Sequence, residues 1–230
     1  MIQQSEGKLI VIEGGDGAGK GTQSELLKNY FNKNNIAYAY VDFPNYDSLY
    51  GKIIAKFLRG EFGTIEEVSP YLAAMFFALD RTLQKEQISN YIKEGKIVLA
   101  NRYIPSNIAH QGSKFINDKA RETFIEWIEQ LEYTINDMPK EDLVIYLHVP
   151  WKVATDLTKS KQTRAYLEGQ STDIQENDQN HRIQTDQMYE YLAQKNDEWT
   201  TIDCTKNGTI LTKENIHECI LAALQKHSII

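Results

Sequence analysis

The chain predicts an α/β fold: an open parallel sheet with helices on both faces. Three observations carry this. Short apolar runs alternate with longer segments of helical periodicity; a glycine-rich turn joins the first run to the first periodic segment; and 230 residues at 41% hydrophobic content can bury one substantial core. Five runs qualify as strands, residues 9–13, 37–43, 97–101, 143–149 and 200–204. Between them, Leu26, Leu27, Tyr30 and Phe31 line one side of a helix, and residues 71–92 carry apolar side chains at helical spacing with charges opposite. No repeat or low-complexity tract interrupts the pattern. The turn-rich points at 60–63 and 137–140 are too short for linkers, so residues 1–230 read as a single domain. Residues 158–180, poor in large apolar side chains and rich in Lys, Gln, Asp and Ser, read as a mobile polar lid.

Composition excludes several classes of function. A net charge of −7 argues against an extended nucleic-acid surface. Cys204 and Cys219 have neither metal-type spacing nor a CxxC pair and read as ordinary thiols of a reducing compartment. Residues 1–8 are polar, and no apolar run approaches the ~20 residues that span a bilayer. The expectation is a cytoplasmic protein with neither nucleic-acid nor membrane partners.

The chemistry begins at "VIEGGDGAGKGTQSELL", residues 11–27. Glycines between a buried-type strand and a helix let backbone N–H groups converge on an anion, to which Lys20 adds a point charge and the helix its N-terminal dipole. The P-loop pattern GxxxxGK[ST] fits through Gly14, Gly19 and Lys20, then meets Gly21 where the hydroxyl usually stands, with Thr22 one place later. Gly14, Gly15, Gly17, Ala18, Gly19, Lys20, Gly21 and Thr22 are therefore the candidate ATP-binding residues within a P-loop NTPase fold. No NKxD-type base-reading string follows, which disfavours a GTPase.

Taken with "DFPNY" at 42–46, "FFALDR" at 76–81 and "NRYIPSNIAHQ" at 101–111, "EGGDGAGKGTQ" resembles the thymidylate kinases among the nucleoside monophosphate kinases, in order and over most of the chain. An acidic residue at Asp16 separates this pattern from that of the adenylate kinases. The resemblance implies a five-stranded core, a lid, a homodimer with helices around 53–58 and 71–77 as contributors, and transfer of the γ-phosphoryl of ATP to dTMP with Mg²⁺. It places Phe43 and Pro44 at the acceptor, stacks Phe77 on the thymine ring, and turns Arg81 from the same helical face toward a base carbonyl. Arg102 would hold the acceptor monophosphate, and Ser106 would follow it with Asn107 and Gln111 reading the pyrimidine edge. Asp16 would approach the sugar 3′-hydroxyl, and Glu13, with Asn101 through water, the metal. Because this P-loop lacks an arginine, the catalytic cation would come from the lid, with Arg164 preferred over Lys159 and Lys161; Lys20, Asp16, Arg102 and Arg164 are thus the expected catalytic set. Arg182 and Tyr189 would face the nucleotides, and residues 203–206 would lie beside adenine.

Two positions depart from the family pattern. Asn101 stands where an aspartate is usual, keeping the shape and one acceptor oxygen but not the charge. Asn45 and Tyr46 follow the proline where an arginine is frequent, leaving the acceptor phosphate to Lys52 or Arg102. Alternatives therefore stay open: a kinase for another pyrimidine monophosphate such as dUMP, or a nucleotide-binding module with little turnover.

Overall fold

A computed structural model of the protein describes residues 6–154, 165–169 and 172–230. Five strands, β1 (Lys8–Glu13), β2 (Tyr38–Asp42), β3 (Ile97–Asn101), β4 (Leu143–His148) and β5 (Trp199–Asp203), form one parallel sheet in the order β2-β3-β1-β4-β5. The chain order reverses around β1, so the glycine-rich turn leaves the carboxyl edge at the topological switch point, where open α/β sheets take their ligands. Alternation along β1 feeds two cores: Leu9 and Val11 enter one apolar layer, Ile10 and Ile12 the other. On the second face, α1 (Lys20–Lys33) contributes Leu27 and Phe31 and the C-terminal helix Lys213–Lys226 contributes Ile220 and Leu224.

The long helix expected over 71–92 is two helices, α3 (Pro70–Thr82) and α4 (Lys85–Lys93). The break falls at Leu83 and Gln84, where Gln84 N–H donates to Arg81 O over 3.0 Å in a tighter turn and the apolar stripe changes direction. With α2 (Leu49–Leu58), α3 forms a third apolar cluster outside the sheet, built on Ile54, Phe57, Leu58, Val68 and Ala73. Next come α5 (Ile104–Gly112), α6 (Asp118–Glu129) with its π-helical continuation Gln130–Ile135, the short α7 (Ile174–Asn177), α8 (Gln179–Lys195) and α9 (Lys213–Lys226). A hairpin of β6 (Thr205–Lys206) and β7 (Thr209–Ile210) turns at Asn207 and Gly208, both at positive φ, as a type I′ turn demands.

Part of the expected lid is described. Residues 165–169 and 172–180 mix exposed and packed positions: Leu167 is fully buried, Asp173 caps α7 by accepting from the N–H groups of Gln175 and Glu176, and Arg59 Nη1 donates to Tyr166 O over 2.7 Å. Capping and the Arg59 contact satisfy polar groups at the packed positions. Lys159, Lys161 and Arg164 lie outside the described residues.

Candidate active site

The P-loop is shaped by what its glycines must avoid. At Gly14, φ is +147° and a Cβ would come within 2.8 Å of Leu147 O, so both conformation and space exclude a side chain. Gly19, at φ +89°, turns the chain into α1. Lys20 folds back over the loop, its Nζ donating to Gly14 O at 2.7 Å and Gly15 O at 2.9 Å. Thr22 is exposed in the first turn of α1, with Gly15, Gly17, Ala18 and Gly21 completing the rim.

Beside the loop lies a pocket lined by Asp16, Phe43, Pro44, Phe77, Arg81, Arg102, Ser106, Asn107 and Gln111, which brings together every residue expected at the acceptor. Arg102 begins the turn from β3 into α5 at φ +64°, an uncommon conformation for a residue with a side chain. Its Nη2 donates to Asp16 Oδ1 at 2.5 Å and its Nη1 to Ser106 Oγ at 3.0 Å, so the guanidinium bridges the P-loop to α5. At the other end Arg81, almost fully buried, donates through Nε and Nη2 to the Glu132 carboxylate, the shortest contact being 2.7 Å. Asn107 Nδ2 is fixed by Ala74 O and Glu132, which leaves its Oδ1 a buried acceptor with no partner among the described residues; Gln111 Oε1 is another. Asn107 and Gln111 line the same pocket as Phe77.

Several residues in and around the pocket had no sequence assignment. Asp80 accepts from Asn45 N–H at 2.8 Å and Ser48 Oγ at 2.5 Å and so holds the loop after Pro44; burial raises its carboxyl above the ordinary range. Gly51 lets α2 approach that loop, because a Cβ there would meet Asn45 O at 1.8 Å. Tyr46 stacks on Tyr166, centroids 4.1 Å apart, and Tyr166 OH donates to Asp173 Oδ2 at 3.0 Å, which roofs the pocket with the far end of the lid segment. Burial, with the carboxylates of Asp16 and Glu176, pushes the Asp173 carboxyl up to about 7. Gln175 and His110 complete the lining. Lys52 is exposed on α2 and does not line this pocket.

Two of the expected residues are held within the protein's own hydrogen bonds. Glu13 is fully buried and accepts from Tyr103 N–H, Ser106 N–H, Ser106 Oγ and Tyr189 OH at 2.6 to 3.1 Å; the unsatisfied N–H groups opening α5 draw its carboxylate inward, away from a metal's water shell. Tyr189 is buried with it rather than facing nucleotides. Arg182 stays near the P-loop, its Nη2 3.5 Å from Asp16 O. Asn101 donates to Asp42 Oδ1 at 2.9 Å across the β2–β3 register, and its own Oδ1 is buried without a partner among the described residues. Asp203, at the end of β5, bonds His148 Nδ1 at 2.7 Å.

The family model for thymidylate kinase matches residues 12–216. The chain belongs to the thymidylate kinase family. It is 31% identical to the thymidylate kinase of Mycobacterium tuberculosis over 80% of this chain and 85% of that one. It is also 30% identical to that of Fervidobacterium nodosum over 93% of this chain and 96% of the other. Its fold matches the solved thymidylate kinase of Candida albicans with a TM-score of 0.72 at 21% identity, covering 97% of this chain and 93% of that one. Members of the family are ATP-dependent nucleoside monophosphate kinases, and the P-loop with its adjoining pocket is the pair of sites that such a phosphotransferase requires.

Proposed function

We propose that the chain transfers the γ-phosphoryl group of ATP to dTMP, giving dTDP and ADP. The observation that carries this reading is one pocket with two chemically distinct ends: Arg102, bridged to the P-loop, and a base end where Arg81 lies beside two unpartnered amide oxygens, Asn107 Oδ1 and Gln111 Oε1. An imide edge offers an N–H between two carbonyls, so acceptors next to a guanidinium suit it, and Phe77 supplies a stacking face. Glycine-loop N–H groups and Lys20 receive the donor phosphates, with Lys20 exchanging its bonds to Gly14 O and Gly15 O for phosphate oxygens. Arg102 orients the acceptor phosphate, and Asp16 holds Arg102 in place.

Mg²⁺ enters with ATP, where it neutralises phosphate charge. The Thr22 hydroxyl, Asn101 Oδ1 and Asp42 carboxylate are oxygen donors of the kind Mg²⁺ takes. We place the protein in the cytoplasm; no helix among the described residues is long and apolar enough to cross a membrane. A homodimer is proposed through α2 and α3, whose outer surface leaves Leu72 and Met75 exposed beside Leu49 and Phe62. Sedimentation equilibrium at micromolar concentration should give twice the chain mass, and a monomer would remove this element.

The deciding experiment is coupled ADP release with ATP, Mg²⁺ and, separately, dTMP, dUMP, dCMP, dGMP and AMP, with Lys20→Ala as blank. A dTMP-selective rate that collapses in Lys20→Ala and Arg102→Ala is expected. Silence with every acceptor, or wild-type rates in both variants, would overturn the reading.

A further inference from the structure

We infer that His110 is a positioning residue for the acceptor phosphate: its Nε2 accepts from Arg102, and His181 fixes the tautomer that allows it to. The inference rests on Arg102 holding that phosphate. Arg102 Nη1 lies 3.3 Å from His110 Nε2, and His110 Nδ1 lies 3.4 Å from His181 Nε2. A guanidinium has donors only, so His110 Nε2 must present its lone pair and the ring must carry its proton on Nδ1. That proton then faces His181 Nε2, which must accept in turn and is also 3.4 Å from Thr185 Oγ1. The direction of every bond in the row is thus set by its first member. His110, His181 and Thr185 are at most 9% exposed, so water does not substitute for any of them.

The row works only with both rings neutral. A second proton on His110 would aim an N–H at the Arg102 N–H, replacing a hydrogen bond with two facing cations. The groups around it oppose that proton on balance. Burial disfavours it most, followed by Arg102; Asp16 of the P-loop favours it, and His181 from α8 and Lys20 from α1 disfavour it. Tyr189, also from α8, packs edge-on against the His110 ring. His181 is held down to about 4 by burial and by Lys114, against Asp178 and Asp16. The sequence places both histidines but gives no sign that α5 and α8 bring their rings together on the far side of Arg102.

The test compares wild type with His110→Leu, His110→Gln and His181→Phe, measuring KM for dTMP and for ATP, kcat, dTMP affinity by calorimetry without ATP, and melting temperature. Losing one hydrogen bond to a charged group should raise the dTMP KM about tenfold in His110→Leu while the ATP KM holds. In His110→Gln an amide oxygen can accept from Arg102, so the dTMP KM should return to within about threefold of wild type. His181→Phe keeps the bulk of the ring but removes the acceptor, so it should raise the dTMP KM without a matching loss of melting temperature. Protonation of dTMP's own phosphate at about pH 6 raises the KM of every variant on the acid side; in wild type a further rise should appear as His110 gains a proton, and this further limb should be absent from His110→Gln. Nitrogen NMR of the wild type should show both rings protonated on Nδ1. Unchanged dTMP affinity in His110→Leu, or equal losses in the Leu and Gln variants, would overturn the inference. A wild type inactive with dTMP would instead fault the functional reading beneath it.

Discussion

Replacing Glu132 by alanine isolates the support behind the base end of the pocket. Glu132 is fully buried, and Arg81, at 2% exposure, donates to it through two nitrogens, with Asn107 Nδ2 as a third donor at 3.3 Å. Arg81 cannot escape by losing its proton, so Glu132→Ala strands a buried cation, which costs about 3–5 kcal/mol. By contrast, the Lys8–Asp142 pair, 47% and 31% exposed, is of the kind worth roughly 0–1 kcal/mol. For a chain of this length each kcal/mol moves the melting temperature by about 2–4 °C, so the variant should melt roughly 6–20 °C below wild type. Glu132→Gln, which keeps one acceptor, should fall between them. Thermal and urea unfolding measure the stability term, while steady-state kinetics should show the dTMP KM rising with the ATP KM unmoved, because Arg81 and Asn107 line the acceptor pocket alone. A Glu132→Ala protein that melts within about 2 °C of wild type and keeps its dTMP KM would refute the assignment of Glu132 as the anchor.

Asn101→Asp would set a second carboxylate where Asn101 now donates to Asp42 over 2.9 Å. Asp42 is exposed at its strand end, so water should limit the cost to about 1–2 kcal/mol. The variant should melt lower than wild type in EDTA and regain the difference in Mg²⁺; equal melting in EDTA would count against the contact. Asp173 holds its proton up to about pH 7 when folded, whereas an unfolded carboxyl releases it near 4. The folded state therefore binds more protons across that window, and stability falls as pH rises through it. Asp173→Asn keeps a good helix cap without the titration, so its stability relative to wild type should grow between pH 5 and 8, a trend that parallel unfolding curves would contradict.

The sheet was legible because each strand is an apolar run bounded by polar or turn residues, and the observed strands differ from expectation by a residue or so at their ends. The P-loop was legible because its glycines and Lys20 fall within one short stretch, residues 14–21. Contacts between distant positions were not. Nothing local ties residue 81 to residue 132, so Arg81 could be placed at the pocket but not on its anchoring carboxylate. Glu13 ends a strand beside a phosphate loop and invites a metal role, yet the N–H groups opening α5, some 90 residues further on, claim it. Asn207 and Gly208 are an Asn-Gly pair that favours the type I′ turn they form, although no hairpin was expected there. The stack of Tyr46 on Tyr166 had none, because it joins a loop to a segment whose composition reads as solvated.

A chain of net charge −7 must nonetheless receive two anionic nucleotides, and the placement of its carboxylates explains how. Repulsion from distant surface charges decays over roughly 8 Å at physiological salt, so groups within the pocket decide the outcome. Asp16, which lines it, and Glu132, buried behind it, are each paired with an arginine through short bonds, and burial raises the carboxyl of Asp173, the other acidic lining residue. A paired carboxylate costs the local field one negative charge but fixes the direction of a guanidinium whose freedom would otherwise have to be frozen on binding. Because Arg102 and Arg81 line one pocket, the two pairs hold both guanidiniums in place before a ligand arrives. Weakening either pair should therefore loosen acceptor binding before it disturbs the P-loop.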